Sequence, residues 1–96
     1  MKPSQIFTDR RADIVAIAAR YPVRNVRVFG SVLHGDDVDG SDLDLLVDAL
    51  PGATLFSLGG LQDELQTTLG VKVDLLLPTE LPLAIRQKVL AEARPI

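Results

Sequence analysis

Apolar residues along this chain fall into blocks whose spacing switches between helical and alternating. Ile14, Val15, Ile17 and Ala18 recur at helical spacing, with Thr8 as an N-cap, and predict a first helix over residues 8–20 that Pro22 ends. Val26, Val28 and Phe29 predict a short strand stopping at Gly30. Residues 31–35 are expected to form one helical turn, and Asp36 to Gly40 are turn-formers. From Ser41 to Asp48 a second strand is predicted: Leu43, Leu45 and Val47 share one face, and Asp42, Asp44, Leu46 and Asp48 the other.

Pro51 and Gly52 close that strand. Leu58, Leu61, Leu65 and Leu69 then lie on one stripe and predict a helix over Leu55–Leu69, weakened near its start by Gly59 and Gly60 and stopped by Gly70. Val71–Leu77 reads as a third strand ended by Pro78. Thr79 or Pro82 opens a closing helix carrying Leu83, Ile85, Val89 and Leu90. The helix between strands two and three is long enough for a crossover, so those strands are expected to be parallel, whereas the shorter link before them allows antiparallel pairing. The fold class is therefore α/β (α+β): a small mixed sheet with helices packed on one face.

Length changes this picture little. The 96 residues suit one domain, residues 1–96, with 47% apolar content for its core. Cys is absent, which removes disulfide scaffolds, zinc–thiolate sites and thiol nucleophiles. No stretch suggests a signal peptide or a membrane span, so a soluble, cytoplasmic chain is expected.

Charge matters more. A net charge of −3 argues against nucleic acid as the main partner. Between Arg27 and Lys72 there is no Lys or Arg, although that stretch holds Asp36, Asp37, Asp39, Asp42, Asp44, Asp48, Asp63 and Glu64. Any buried carboxylate there must find its positive charge elsewhere.

Asp42 and Asp44 are two apart, so they leave the same face of a strand. If the Val/Leu faces of strands two and three share the core, Asp74 joins them on the opposite face. Two such charges about 4 Å apart repel by about 4 kcal/mol at an effective dielectric near 20. A proton or a cation must relieve that repulsion, and Mg²⁺ takes one or two carboxylates plus substrate phosphates. Gly30-Ser31 stands where a strand gives way to a helical turn. Glycine admits a phosphate close to the backbone, and the turn's free N–H groups and the Ser31 hydroxyl point at it.

Phe29-Gly30-Ser31, ten residues, then Asp42-Leu43-Asp44-Leu45-Leu46-Val47, followed by Lys72-Val73-Asp74-Leu75, is similar to the signature of the DNA polymerase β-like nucleotidyltransferase superfamily. The chain's size resembles the minimal nucleotidyltransferase (MNT) domains encoded beside HEPN-domain proteins. That resemblance implies that Gly30 and Ser31 hold the triphosphate of ATP. It implies that Asp42 and Asp44 bind two Mg²⁺ ions, and that Asp74 binds one metal and helps activate the attacking hydroxyl. It also implies an antitoxin that attaches AMP to a tyrosine of a HEPN ribonuclease toxin, or that neutralises the toxin by binding alone. Many relatives carry a basic residue, often Arg, where this chain has His34.

Other residues read more plainly. Asp36, Asp37 and Asp39 are expected in a solvated loop, Asp48 at a solvent-facing strand position, His34 in a loop and Tyr21 packed beside Pro22. A P-loop is excluded because Asp36-Asp37 stands where Lys-Ser/Thr is needed.

Overall fold

The computed structural model describes residues 1–96. Four strands form one sheet in the order β3-β2-β1-β4: β1 (Val23–Phe29), β2 (Leu43–Ala49), β3 (Val73–Leu76) and β4 (Arg94–Pro95). β2 pairs antiparallel with β1 and parallel with β3, the arrangement that the connection lengths predict. Helix α4 (Leu55–Leu69) makes the crossover. Thr54 caps it by accepting from the Ser57 backbone N–H at 3.1 Å while Ser57 Oγ accepts from Thr54 N–H at 2.8 Å, and Gly70 ends it at φ 70°.

The expected first helix is two helices. α1 (Pro3–Asp9) and α2 (Arg11–Ala18) break at Arg10, whose backbone leaves the helical region at φ −113° and ψ 21°. Thr8 is therefore not an N-cap; it lies within α1 and donates its hydroxyl proton to the Ser4 carbonyl at 3.0 Å. Helical periodicity missed α1 because only Ile6 and Pro3 of that short helix are buried.

Strand β1 begins three residues before the expected Val26. A bulge between Arg24 and Arg27, with Asn25 at φ 53°, breaks the alternation and hides the strand's first half from a period-two reading. At the other end β2 and β3 are shorter than expected. Asp42 and Lys72 stand just before them, joined through the Leu43 N–H to Lys72 carbonyl bond of 2.8 Å. β4 has no hydrophobic pattern to announce it. It adds two residues at the edge of β1, where Pro95 needs no ladder donor, and Ile96 N–H donates to the Val26 carbonyl at 3.0 Å.

The main core lies between one sheet face and helices α1, α2 and α4. Leu43, Leu45, Val47 and Val73 meet Ile14, Ile17, Leu61, Leu65 and Leu69 there. Leu61 and Leu65 are fully buried, and each such side chain contributes about 1.5–3 kcal/mol of transfer free energy. Leu46, on the opposite face, is buried as well, under the segment carrying a 3₁₀ turn (Pro78–Glu80) and the buried Leu81.

Helix α5 (Leu83–Glu92) departs from its apolar pattern. Pro82 precedes it as expected, yet none of its residues is buried, and Leu83, Ile85 and Leu90 are exposed. No helix is long and apolar enough to cross a membrane.

Candidate active site

Asp44 occupies the centre of the acidic face. It lies in register with Asp74 on β3 and with Phe29 on β1, so two neighbouring strands frame it. A parallel register with equal parity puts the Asp44 and Asp74 side chains on the same face. Burial pushes the Asp44 carboxyl up to about 6, and the charges of Asp74 and then Asp42, with a hydrogen bond to Asp74, push the same way. Sequence parity foresaw that Asp44 and Asp74 share a face; the register that sets them side by side comes from the strand pairing.

The three carboxylates do not close into a compact ligand cage. Asp44 and Asp74 form the inner pair, and Asp42 stands at the mouth of β2, where Lys72 Nζ approaches its Oδ2 to 3.6 Å. Both partners of that ion pair are substantially solvated, so it holds Asp42 only weakly. The pair around Asp44 therefore carries negative charge that no Lys or Arg neutralises. Hard carboxylate oxygens with uncompensated charge on one open face fit Mg²⁺, which retains water and phosphate ligands of its own.

Gly30 is fitted to the same place. Its φ is 75°, and a Cβ there would overlap Asp44 Oδ2 and press on Asp44 Cβ, 3.3 Å away. Only glycine satisfies both the left-handed backbone and the close approach to the carboxylate. The next residue, Ser31, opens the one-turn helix α3 (Ser31–His34), so the Gly30-Ser31 backbone sits directly beside Asp44. The expected strand–glycine–turn junction is present.

Several other acids take different places from those expected. Asp37 is not a solvated loop residue: it is 4% exposed, and its Oδ2 accepts the Ser4 N–H at 2.8 Å. That bond, aided by the charge of Lys2, holds its carboxyl below the ordinary value. The free donors at the start of α1 and the chain reversal after α3 bring the two together, and nothing local in the sequence signals it. Asp48 is likewise not a free surface acid. It accepts from Asn25 Nδ2 at 2.8 Å and from Arg27 at 3.0 Å across the β1–β2 ladder, and both bonds lower its pKa. Tyr21 does more than pack: its hydroxyl donates to Glu64 Oε1 at 2.7 Å, and Arg20 pairs with the same carboxylate. The absence of basic residues between Arg27 and Lys72 foretold these long-range partners in kind, though not by name.

His34 points across the molecule. Its Nε2 lies 3.1 Å from Glu92 Oε2 on α5. Together they bound a groove of about 300 Å³ that starts at Phe29 and Gly30 and runs along Ile85, Lys88 and Val89. The sequence pattern did not single out Lys88, which stands on the closing helix among the apolar residues it named.

Comparison with known proteins bears on the family and the fold. The family model for the polymerase beta nucleotidyltransferase domain matches residues 12–96. The protein adenylyltransferase MntA of Thermococcus cleftensis is 37% identical over 73 residues, 76% of this chain and 74% of its own. A solved structure assigned as a minimal nucleotidyltransferase superposes with a TM-score of 0.85 at 39% identity, covering 97% of this chain and 95% of that one. A toxin–antitoxin crystal structure with AMP-PNP shares the fold, with a TM-score of 0.74 at 21% identity over 88% of this chain and 69% of that one.

Proposed function

Since the chain belongs to the polymerase beta nucleotidyltransferase family and is a nucleotidyltransferase, we propose that it transfers AMP from ATP to a tyrosine hydroxyl of a cognate HEPN toxin, acting as its antitoxin. The observation that carries this reading is the in-register Asp44–Asp74 pair against Gly30, because uncompensated carboxylates beside a Gly-Ser turn suit a metal-bound triphosphate. The adenylyltransferase name of the Thermococcus relative and the AMP-PNP of the toxin–antitoxin structure support the donor and the partner class.

In this reading Asp42, Asp44 and Asp74 would hold two Mg²⁺ ions, which would supply positive charge to a triphosphate. Gly30 and Ser31 orient the triphosphate through backbone N–H groups and the Ser31 hydroxyl. Asp74 accepts the proton of the attacking tyrosine hydroxyl. The tyrosine oxygen forms a bond to the α-phosphorus, the bond from that phosphorus to the bridging oxygen breaks, and pyrophosphate leaves. Asp44, half-buried on the sheet, keeps the inner site fixed relative to the cradle.

Incubation with α-³²P-labelled ATP, Mg²⁺ and the HEPN protein encoded beside this chain is expected to label that protein covalently. Asp42→Asn and Asp44→Asn are expected to lower labelling by about 100-fold or more while circular dichroism stays unchanged. Undiminished labelling by both variants would show that the carboxylates are not the catalytic set.

A second reading is favoured by one observation: Leu55, Phe56 and Leu83 are 86%, 93% and 80% exposed. Apolar side chains so displayed suit a module that neutralises its partner by masking it. Neutralisation that survives loss of all three Asp would support that reading over transfer.

A further inference from the structure

The groove between α3 and α5 starts at Gly30, beside Asp44, and so continues from the cradle assigned to the triphosphate. A cation besides any metal would strengthen the hold on phosphates in that cradle, yet from Val28 to Val71 the chain has no Lys or Arg. The turn that follows the cradle offers only His34, and His34 is already engaged by Glu92 at 3.1 Å. A single permanently cationic group lines the groove: Lys88, one helical turn before Glu92 on α5. No carboxylate lies within ion-pair distance of its ammonium, whereas Lys72, the other lysine on the acidic side, is paired with Asp42. Ile85 and Val89 flank it and leave it an apolar wall on one side, where a charge–charge contact is less screened than in open water.

From this arrangement we infer that Lys88 is a triphosphate-binding residue, a cation delivered from α5 to the outer phosphates of a nucleoside triphosphate seated at Gly30-Ser31. The inference rests on the nucleotidyltransferase reading of that cradle. It also assigns α5 a task that its packing does not explain: a helix that buries none of its residues lines the groove that includes Gly30 and presents one lysine to it. The ammonium acts as a point charge, so it contacts the β- and γ-phosphates and discriminates a triphosphate from a monophosphate by charge. Glu92 adds negative charge to the same groove, and its carboxylate is engaged by His34 at 3.1 Å.

The test is equilibrium binding of ATP and of AMP, each with Mg²⁺, to the intact protein, by calorimetry. Lys88→Ala is expected to weaken ATP binding by about 10- to 100-fold, the size of one hydrogen bond to a charged group, and to leave AMP binding within about twofold. Lys88→Arg, which keeps the charge, is expected to restore most of the ATP affinity. Lys88 is exposed on a helix, so both variants are expected to fold as the parent does. ATP affinity equal to the parent's in Lys88→Ala would overturn the Lys88 role and leave the nucleotidyltransferase reading intact. Equal losses for ATP and AMP would overturn it too, since they mark a damaged groove and not a phosphate contact. If the parent protein itself fails to bind ATP with Mg²⁺, the reading of the cradle falls and the role of Lys88 with it.

Discussion

Asp44 shows how burial and two neighbours together set one side chain. Burial raises its pKa to about 6, and the charges of Asp74 and Asp42 add to the shift. The native state therefore holds a proton that the unfolded chain releases near pH 4, and the metal-free protein loses stability as pH rises between about 4 and about 6. Above that window the penalty is constant. The shift corresponds to about 3 kcal/mol at most, and solvent screening of a half-buried group reduces it to about 1–2 kcal/mol. Asp44→Asn is accordingly expected to raise the Tm of the metal-free protein at pH 7.5 and to leave it nearly unchanged at pH 4, as thermal unfolding in EDTA would read. A lower Tm at pH 7.5 would mean that the Asp44 carboxylate is stabilised and not strained.

At the scale of elements, the helices are held by different means. α4 carries its own start and stop signals and also buries Leu61, Leu65 and Leu69, so its local and tertiary preferences agree. Thr54→Ala removes the side chain that accepts from Ser57 N–H and is expected to cost about 1 kcal/mol in urea unfolding, with an unchanged m-value. α1 is too short to be stable alone and depends on partners elsewhere. Helix α5 is the converse case, with good local signals and no buried face. Its period was legible, but Leu83, Ile85 and Leu90 stay exposed. β4 was not legible at all, because two residues contain no periodicity.

Across the whole molecule, long-range polar contacts compensate for the missing basic residues of the central stretch. Asp37 illustrates the scheme: its carboxylate reaches back 33 residues to the start of α1, tying the loop after α3 to the N-terminal helix. Its pKa is lowered, so its stabilising contribution is present above about pH 4, the unfolded value, and is lost as pH falls through the depressed folded value. Asp37→Ala is expected to lower Tm at pH 7 and to have less effect at pH 2, because the parent's carboxyl gains proton occupancy as pH falls. A Tm deficit of equal size at both values would assign the loss to packing and not to the charge.

By itself the sequence determined the order of the major elements, the parity of Leu43, Leu45 and Val47 against Asp42 and Asp44, and the glycine at the strand end. These follow from local sterics and from the two periods of regular backbone, which a reader meets within a few neighbouring residues. Only the tertiary structure decided the register that sets Asp44 beside Asp74, the burial of Asp37, the pairing of Asp48 and the groove that Lys88 faces. Each of those depends on segments separated by tens of residues meeting in space, and local spacing carries no information about which distant partner arrives.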